Sequence, residues 1–208
     1  ATIDLPDHIL NALSTVLQQL QQSLPEVKTV PDFSAYAYKW QDGQLKPIYK
    51  LRAIQLADLK GIEKQKEKVI QNTLQFLNNL PANDVLLTGS RGTGKSSIVR
   101  ALLTEYADQG LRLIEIERDD LSDLPEIQKL IADRPEKFIV YCDDLAFNAE
   151  DENYRSLKSV LDGSLQSGSS NFVIYATSNR RHLLPEFMHE NTPVTKVDVP
   201  QYLSLIHI

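Results

Sequence analysis

The apolar residues of this chain fall into two patterns that take turns. Short, almost unbroken runs at Val85-Leu86-Leu87, Leu111 to Ile116, Phe138 to Cys142 and Phe172 to Ala176 predict strands buried on both faces. Between them apolar positions recur at helical spacing: Ile98, Val99, Leu102, Leu103 and Tyr106 within 97–108, closed by Gly110; a segment opened by Pro125 and running to Ala132; and Tyr154, Leu157, Val160, Leu161 and Leu165. The Ser- and Gly-rich residues 166–170 lead back to the last strand. Strands and helices in alternation predict an α/β fold, a parallel sheet between two helical layers.

Upstream the pattern changes. Ile9, Leu13, Val16, Leu17, Leu20 and Leu24 form a leucine-rich stripe over 7–24, a packing face on a helix that Pro25 ends. Residues 35–48 alternate aromatic and polar around Asp42-Gly43, which predicts a β-hairpin. A linker, 51–61, then leads to a helix over 62–80. These boundaries give residues 1–50 as a helix and hairpin appendage, 51–200 as the core, and 201–208 as a tail. The tail, Leu203-Ser204-Leu205-Ile206-His207-Ile208, is expected to be non-native, resembling a translated sequencing adapter. An apolar segment docking as a strand is the alternative.

Composition narrows the class. The chain has 208 residues, 42% of them hydrophobic, and a formal charge of -6, so its surface is not built mainly to grip nucleic acid. A local basic patch stays open, but Lys60, Lys64, Lys66 and Lys68 are interleaved with Glu63 and Glu67, as on a solvated helix face. The single cysteine, Cys142, allows no disulfide within the chain and fits a cytoplasmic setting. No apolar run is long enough to span a membrane.

The chemistry starts at Gly89-Ser90-Arg91-Gly92-Thr93-Gly94-Lys95-Ser96, which fits G-x-x-x-x-G-K-[ST] at every fixed position, with Ser97 following. A strand precedes it and a helix follows. In that context glycines let backbone N–H groups turn toward a polyphosphate at a helix N-terminus. Lys95 is expected to reach the β- and γ-phosphates of a nucleotide, and Ser96 to offer its hydroxyl to Mg²⁺. The plain alternative is a glycine-rich turn before an ordinary helix.

Two other strands end on polar residues. Phe138 to Cys142 runs into Asp143-Asp144, and an apolar strand delivers its last side chains to the carboxyl edge of the sheet. There Asp143 is expected to hold Mg²⁺ and Asp144 to orient or deprotonate an attacking water, the alternative being an acidic turn. The last run ends Thr177-Ser178-Asn179, whose amide is expected at the γ-phosphate or the attacking water unless it serves only a turn.

The glycine loop, the strand ending in Asp143-Asp144 and the strand ending in Asn179 together resemble the Walker A, Walker B and sensor 1 motifs of AAA+ ATPases. Gly92 to Ser97, Phe138 to Leu145 and Tyr175 to Pro185 look like a bacterial AAA+ group catalogued only as a domain of unknown function, over residues 50–195. The resemblance implies a P-loop NTPase sheet of order 5-1-4-3-2, or 1-4-3-2 for the strands counted here. It also implies a helical lid, a homo-oligomer in which a neighbour's arginine completes catalysis, and Leu59, Gly61 and Ile62 near the adenine. The function implied is ATP hydrolysis that remodels a macromolecular partner. The alternative is an ATP-regulated binding module with little hydrolysis.

Departures from that pattern are as informative. Asp144 stands where AAA+ proteins usually carry Glu, and no arginine follows Arg181. The chain as given is therefore expected to bind Mg-ATP weakly and hydrolyse it slowly, with the edge of its first strand uncovered. Thr195-Lys196-Val197-Asp198 matches a guanine-specificity pattern, but the Asp-x-x-Gly of GTPases is missing after Asp143. His182 and His189 have too few partners for a metal site.

Overall fold

The computed structural model describes residues 6, 9, 14–16, 31–145, 171–179 and 203–208. The chain divides into two compact units, Ala1–Pro31 and Asp32–Ile208. In the first, Ile9 and residues 14–16 are helical; the rest of the stripe over 7–24 lies outside the described residues. So do the helix expected around 154–165, the pair His182 and His189, and the segment Thr195 to Asp198.

The second unit is a mixed α/β structure around a seven-stranded sheet. Its strands are β1 (Ala37–Gln41), β2 (Gln44–Ile48), β3 (Asp84–Thr88), β4 (Leu111–Ile116), β5 (Lys137–Cys142), β6 (Phe172–Ser178) and β7 (Leu203–His207). Among the described residues its α-helices are α1 (Glu63–Leu77), α2 (Lys95–Tyr106) and α3 (Leu124–Ile131). The order across the sheet is β2-β1-β4-β5-β6-β3-β7, and every pairing is parallel except that of β1 with β2.

Side-chain alternation builds a core on each face. Phe138, Val140 and Cys142 of β5 and Phe172, Ile174 and Ala176 of β6 pack with Leu124, Ile127 and Ile131 of α3. The intervening Ile139, Tyr141, Val173 and Tyr175 pack on the opposite face with Val69 and Phe76 of α1 and Ile98 and Leu102 of α2. Two buried faces explain why these strands read as continuous apolar runs. A buried polar network also ties α1 to the sheet. The Tyr175 hydroxyl receives a hydrogen bond from Asn72 Nδ2 at 3.0 Å and lies 2.8 Å from Thr73 Oγ1, while Asn72 Oδ1 accepts from the Asn83 amide at 2.9 Å.

Two expectations need correction. The hairpin is not an appendage: β1 pairs in parallel with β4 and continues the main sheet. Its driving force is aromatic burial, since Tyr38 and Trp40 are almost wholly buried in the α3-side core and Trp40 Nε1 donates to Asp123 Oδ2 at 2.9 Å. Its turn forms at Asp42 and Gly43, both at positive φ, as a tight two-residue turn demands. The edge of β3 is not bare either, because β7 pairs with it from Asp84↔Leu203 to Thr88↔His207. Residues 203–207, expected as a tail, form that strand. The four anticipated strands keep the order 1-4-3-2 as a block, β3-β6-β5-β4, but the sheet as a whole differs by three further strands.

Boundaries shift by small amounts for local reasons. The helix expected over 62–80 ends at Leu77, where Asn79 takes a positive φ. The one expected over 97–108 starts at Lys95, then tightens into a 3₁₀ turn at Ala107–Gln109 before Gly110. Among the described residues no helix is long and apolar enough to cross a membrane.

Candidate functional site

Because β3, β5 and β6 are parallel neighbours, their carboxyl ends open on the same edge of the sheet. Residues 89–94 leave β3 there and pass into α2 through Gly94, whose φ of 95° an L side chain rarely adopts. A cleft of about 350 Å³ lies at this edge, lined by Arg91, Gly92, Gly94, Lys95, Ser96, Ser97, Asp143, Asp144, Thr177 and Asn179.

Lys95 is buried, and its ammonium donates to three oxygens: Gly89 O at 2.8 Å, Ser90 O at 2.8 Å and Asn179 Oδ1 at 3.0 Å. That satisfies a charge which would otherwise be costly to bury. Thr93 braces the loop by donating its hydroxyl to Ser90 O at 2.9 Å. At the loop's start the Gly89 amide donates to Ser178 O at 3.2 Å, tying it to the end of β6.

The acids are held separately. Asp143 Oδ1 and Oδ2 accept from the Ser96 hydroxyl at 2.9 and 3.1 Å. Oδ1 also accepts the Asp144 amide at 3.1 Å and a short hydrogen bond from Thr177 Oγ1. Burial pushes the Asp143 carboxyl up, but these donors, with the Tyr141 hydroxyl close by, outweigh it and hold the carboxyl below its usual range. The Tyr141 hydroxyl itself is buried without a hydrogen bond of good geometry. Asp144 sits at a φ of 53°, and its Oδ1 accepts from Asn179 Nδ2 at 2.6 Å. Asn179 thus joins Lys95 to Asp144. Next to them Cys142 is sealed in the core, and burial raises its thiol to about 12, so it stays protonated and inert.

The residues singled out from the sequence are distributed as follows. Arg91, Gly92, Gly94, Lys95, Ser96, Ser97, Asp143, Asp144 and Asn179 meet at the cleft. Gly89 and Ser90 serve it through their carbonyls and Thr93 through its brace. Ile62 is buried with its Cδ1 3.6 Å from where a Cβ on Gly94 would stand, beside the loop. Gly61 is a turn residue whose amide donates to Glu63 Oε1 at 3.0 Å, and it does not line the cleft. Thr177 lines the same cleft without any mark in the sequence. A threonine near the end of an apolar strand reads as ordinary β-propensity, and only its place beside Asp143-Asp144 gives it away.

Fold and cleft together define a mostly parallel α/β protein with a basic glycine loop and two acids at the carboxyl edge of its sheet. Residues 33–202 match the family described as "Protein of unknown function (DUF815)", and the chain belongs to that family. No curated protein matches it.

Proposed function

We propose that this chain is the ATP-binding domain of an AAA+ type P-loop ATPase. The observation that carries the reading is the convergence of three strand ends: Lys95 bonded to Asn179, Asn179 to Asp144, and Ser96 to Asp143. Chance turns after buried strands have no reason to assemble a buried lysine, a hydroxyl–carboxylate pair and a second acid around one cleft.

The residues fit the groups such a site takes. Lys95 has its three protons aimed at oxygens, and phosphate oxygens can replace the loop carbonyls as acceptors. Ser96 and Asp143 are hard oxygen donors already in contact. Among the described residues no group of three or more His, Cys, Asp or Glu could hold a metal alone. A hydroxyl and a carboxylate are the sparse set that suits Mg²⁺, whose remaining positions go to water and phosphate. When bound, Mg²⁺ neutralises charge on the β- and γ-oxygens. In this reading Lys95 and the amides of Gly92 to Ser97 bind the phosphates, Asp144 takes a proton from the attacking water, and Asn179 orients it. Ile62, beside Gly94, borders the space for the base. A neighbouring subunit's arginine, a homo-oligomer, a cytoplasmic setting and a remodelled macromolecular partner complete the proposal.

A second reading, an ATP-regulated module with little hydrolysis, draws on one feature. The short Asp144 side chain is already hydrogen-bonded to Asn179, a contact that would compete with a water for its Oδ1.

The test is binding of fluorescent ATP and release of phosphate, measured side by side. Lys95→Ala is expected to lose ATP binding; near wild-type affinity in that variant would overturn the assignment. Asp144→Asn is expected to keep binding and lose turnover, and an unchanged rate would favour the second reading.

A further inference from the structure

Thr177 is almost wholly buried, yet its hydroxyl is spent on the two acids. The last register pair between β5 and β6 is Cys142↔Ala176. One residue further on, the Thr177 hydroxyl donates its single proton to Asp143 Oδ1 and accepts the Asp144 amide at 2.9 Å. Its carbonyl accepts the Leu145 amide at 2.6 Å. Three consecutive residues of the turn after β5 are therefore fixed by one residue of β6. That turn carries Asp144 at a φ of 53°, a conformation that costs a non-glycine residue energy and needs external support.

The consequence lies in how Asp143 is presented. Oδ1 takes three donors, from Thr177, Ser96 and the Asp144 amide, while among the described residues Oδ2 takes only Ser96. A carboxylate anchored at one oxygen offers the other. Building on the ATPase reading, we propose that Thr177 is the positioning residue for the metal end of the site. It anchors Asp143 Oδ1 so that Oδ2 and the Ser96 hydroxyl face a Mg²⁺ together, and it holds the Asp144 turn so that the second acid stays off the metal. The role needs a hydroxyl that donates and accepts at once, which serine supplies and valine, of the same shape, does not.

Fluorescent ATP binding, measured in EDTA and across a MgCl₂ titration, separates this from a merely structural part. Thr177→Val is expected to leave the EDTA affinity within about twofold and to raise the MgCl₂ midpoint on the order of 10-fold, the lower end for outer-shell changes at metal sites. Thr177→Ser is expected to restore the wild-type midpoint. Asp143→Asn should lose the Mg²⁺ response, and adding Thr177→Val to it should cost nothing further. If valine prevents folding, as judged by Trp40 fluorescence, Thr177→Ala carries the same expectation. A Thr177 variant with the full Mg²⁺ response, an equal loss with and without metal, or no rescue by serine would overturn the proposal. Wild-type protein that binds no ATP in either condition would overturn the ATPase reading instead, and this proposal with it.

Discussion

Lys95 and Asn179 lie 84 positions apart and meet across the cleft, the ammonium donating to the amide oxygen at 3.0 Å. The other end of the same amide donates to Asp144 at 2.6 Å. A phosphate that draws Lys95 away therefore loosens one of the two ties on Asn179. On the ATPase reading Asn179→Ala should leave ATP affinity within about threefold, because the loop amides and Lys95 remain. It should slow turnover on the order of 10²-fold, the usual effect of removing one oriented donor from a reacting centre. Binding and phosphate release on the same sample decide this; collapse of binding would make Asn179 a structural residue.

The hairpin gives a stability prediction. Trp40 is the chain's only tryptophan, buried where β1 meets the α3-side core. Its fluorescence during urea unfolding should change together with far-UV circular dichroism, since one sheet runs from β2 to β7. Trp40→Ala should destabilise by about 3–5 kcal/mol, the range for truncating a large buried aromatic. A fluorescence transition well before the loss of secondary structure would make the hairpin a separate unit.

What could be read from the sequence and what could not divides along the range of the interactions. The glycine loop and Asp143-Asp144 are written in contiguous residues, and buried parallel strands announce themselves as apolar runs. Partner choice is different. Nothing local in Ala37–Gln41 says that it pairs with Leu111–Ile116, although the alternation of Tyr38 and Trp40 with Lys39 marks one buried face. Nor does Leu203–His207 carry a mark of its pairing with β3, because a five-residue apolar segment has no period to read. Thr177 was missed for the same reason. Its role depends on a turn donated by another strand.

The network under Tyr175 should be costly to disturb. Its hydroxyl is wholly buried, receives a hydrogen bond from Asn72 and is shared with Thr73. Tyr175→Phe keeps the ring and strands those partners, so a loss of about 1–3 kcal/mol is expected, measured by chemical denaturation. ATP affinity should stay unchanged, because the network lies against α1 and not at the cleft. A shift in affinity without loss of stability would show that α1 communicates with the loop.

Asp84 is the first residue of β3. It is buried, and its carboxylate accepts the Ile174 amide at 2.7 Å. Burial raises its pKa from 3.8 to about 6, the hydrogen bond only partly opposing that. The folded state therefore holds this proton more tightly than the unfolded chain. Stability from this group is fully present below the unfolded value and is lost as pH rises through the folded one. Each pH unit of displacement is worth about 1.4 kcal/mol, so the cost above neutrality is about 3 kcal/mol. Asp84→Asn keeps an oxygen for Ile174 and never ionises. Its stability relative to wild type should be near zero at low pH, rise between pH 3.8 and about 6, and stay high beyond. Taking the difference cancels carboxylates of the opposite sign, such as Glu136, which Arg134 holds below its usual range. Urea denaturation of both proteins from acid to neutral pH measures it. A difference flat with pH would mean that the Asp84 carboxylate is solvated in the folded protein and that β3 starts nearer the surface than its burial indicates.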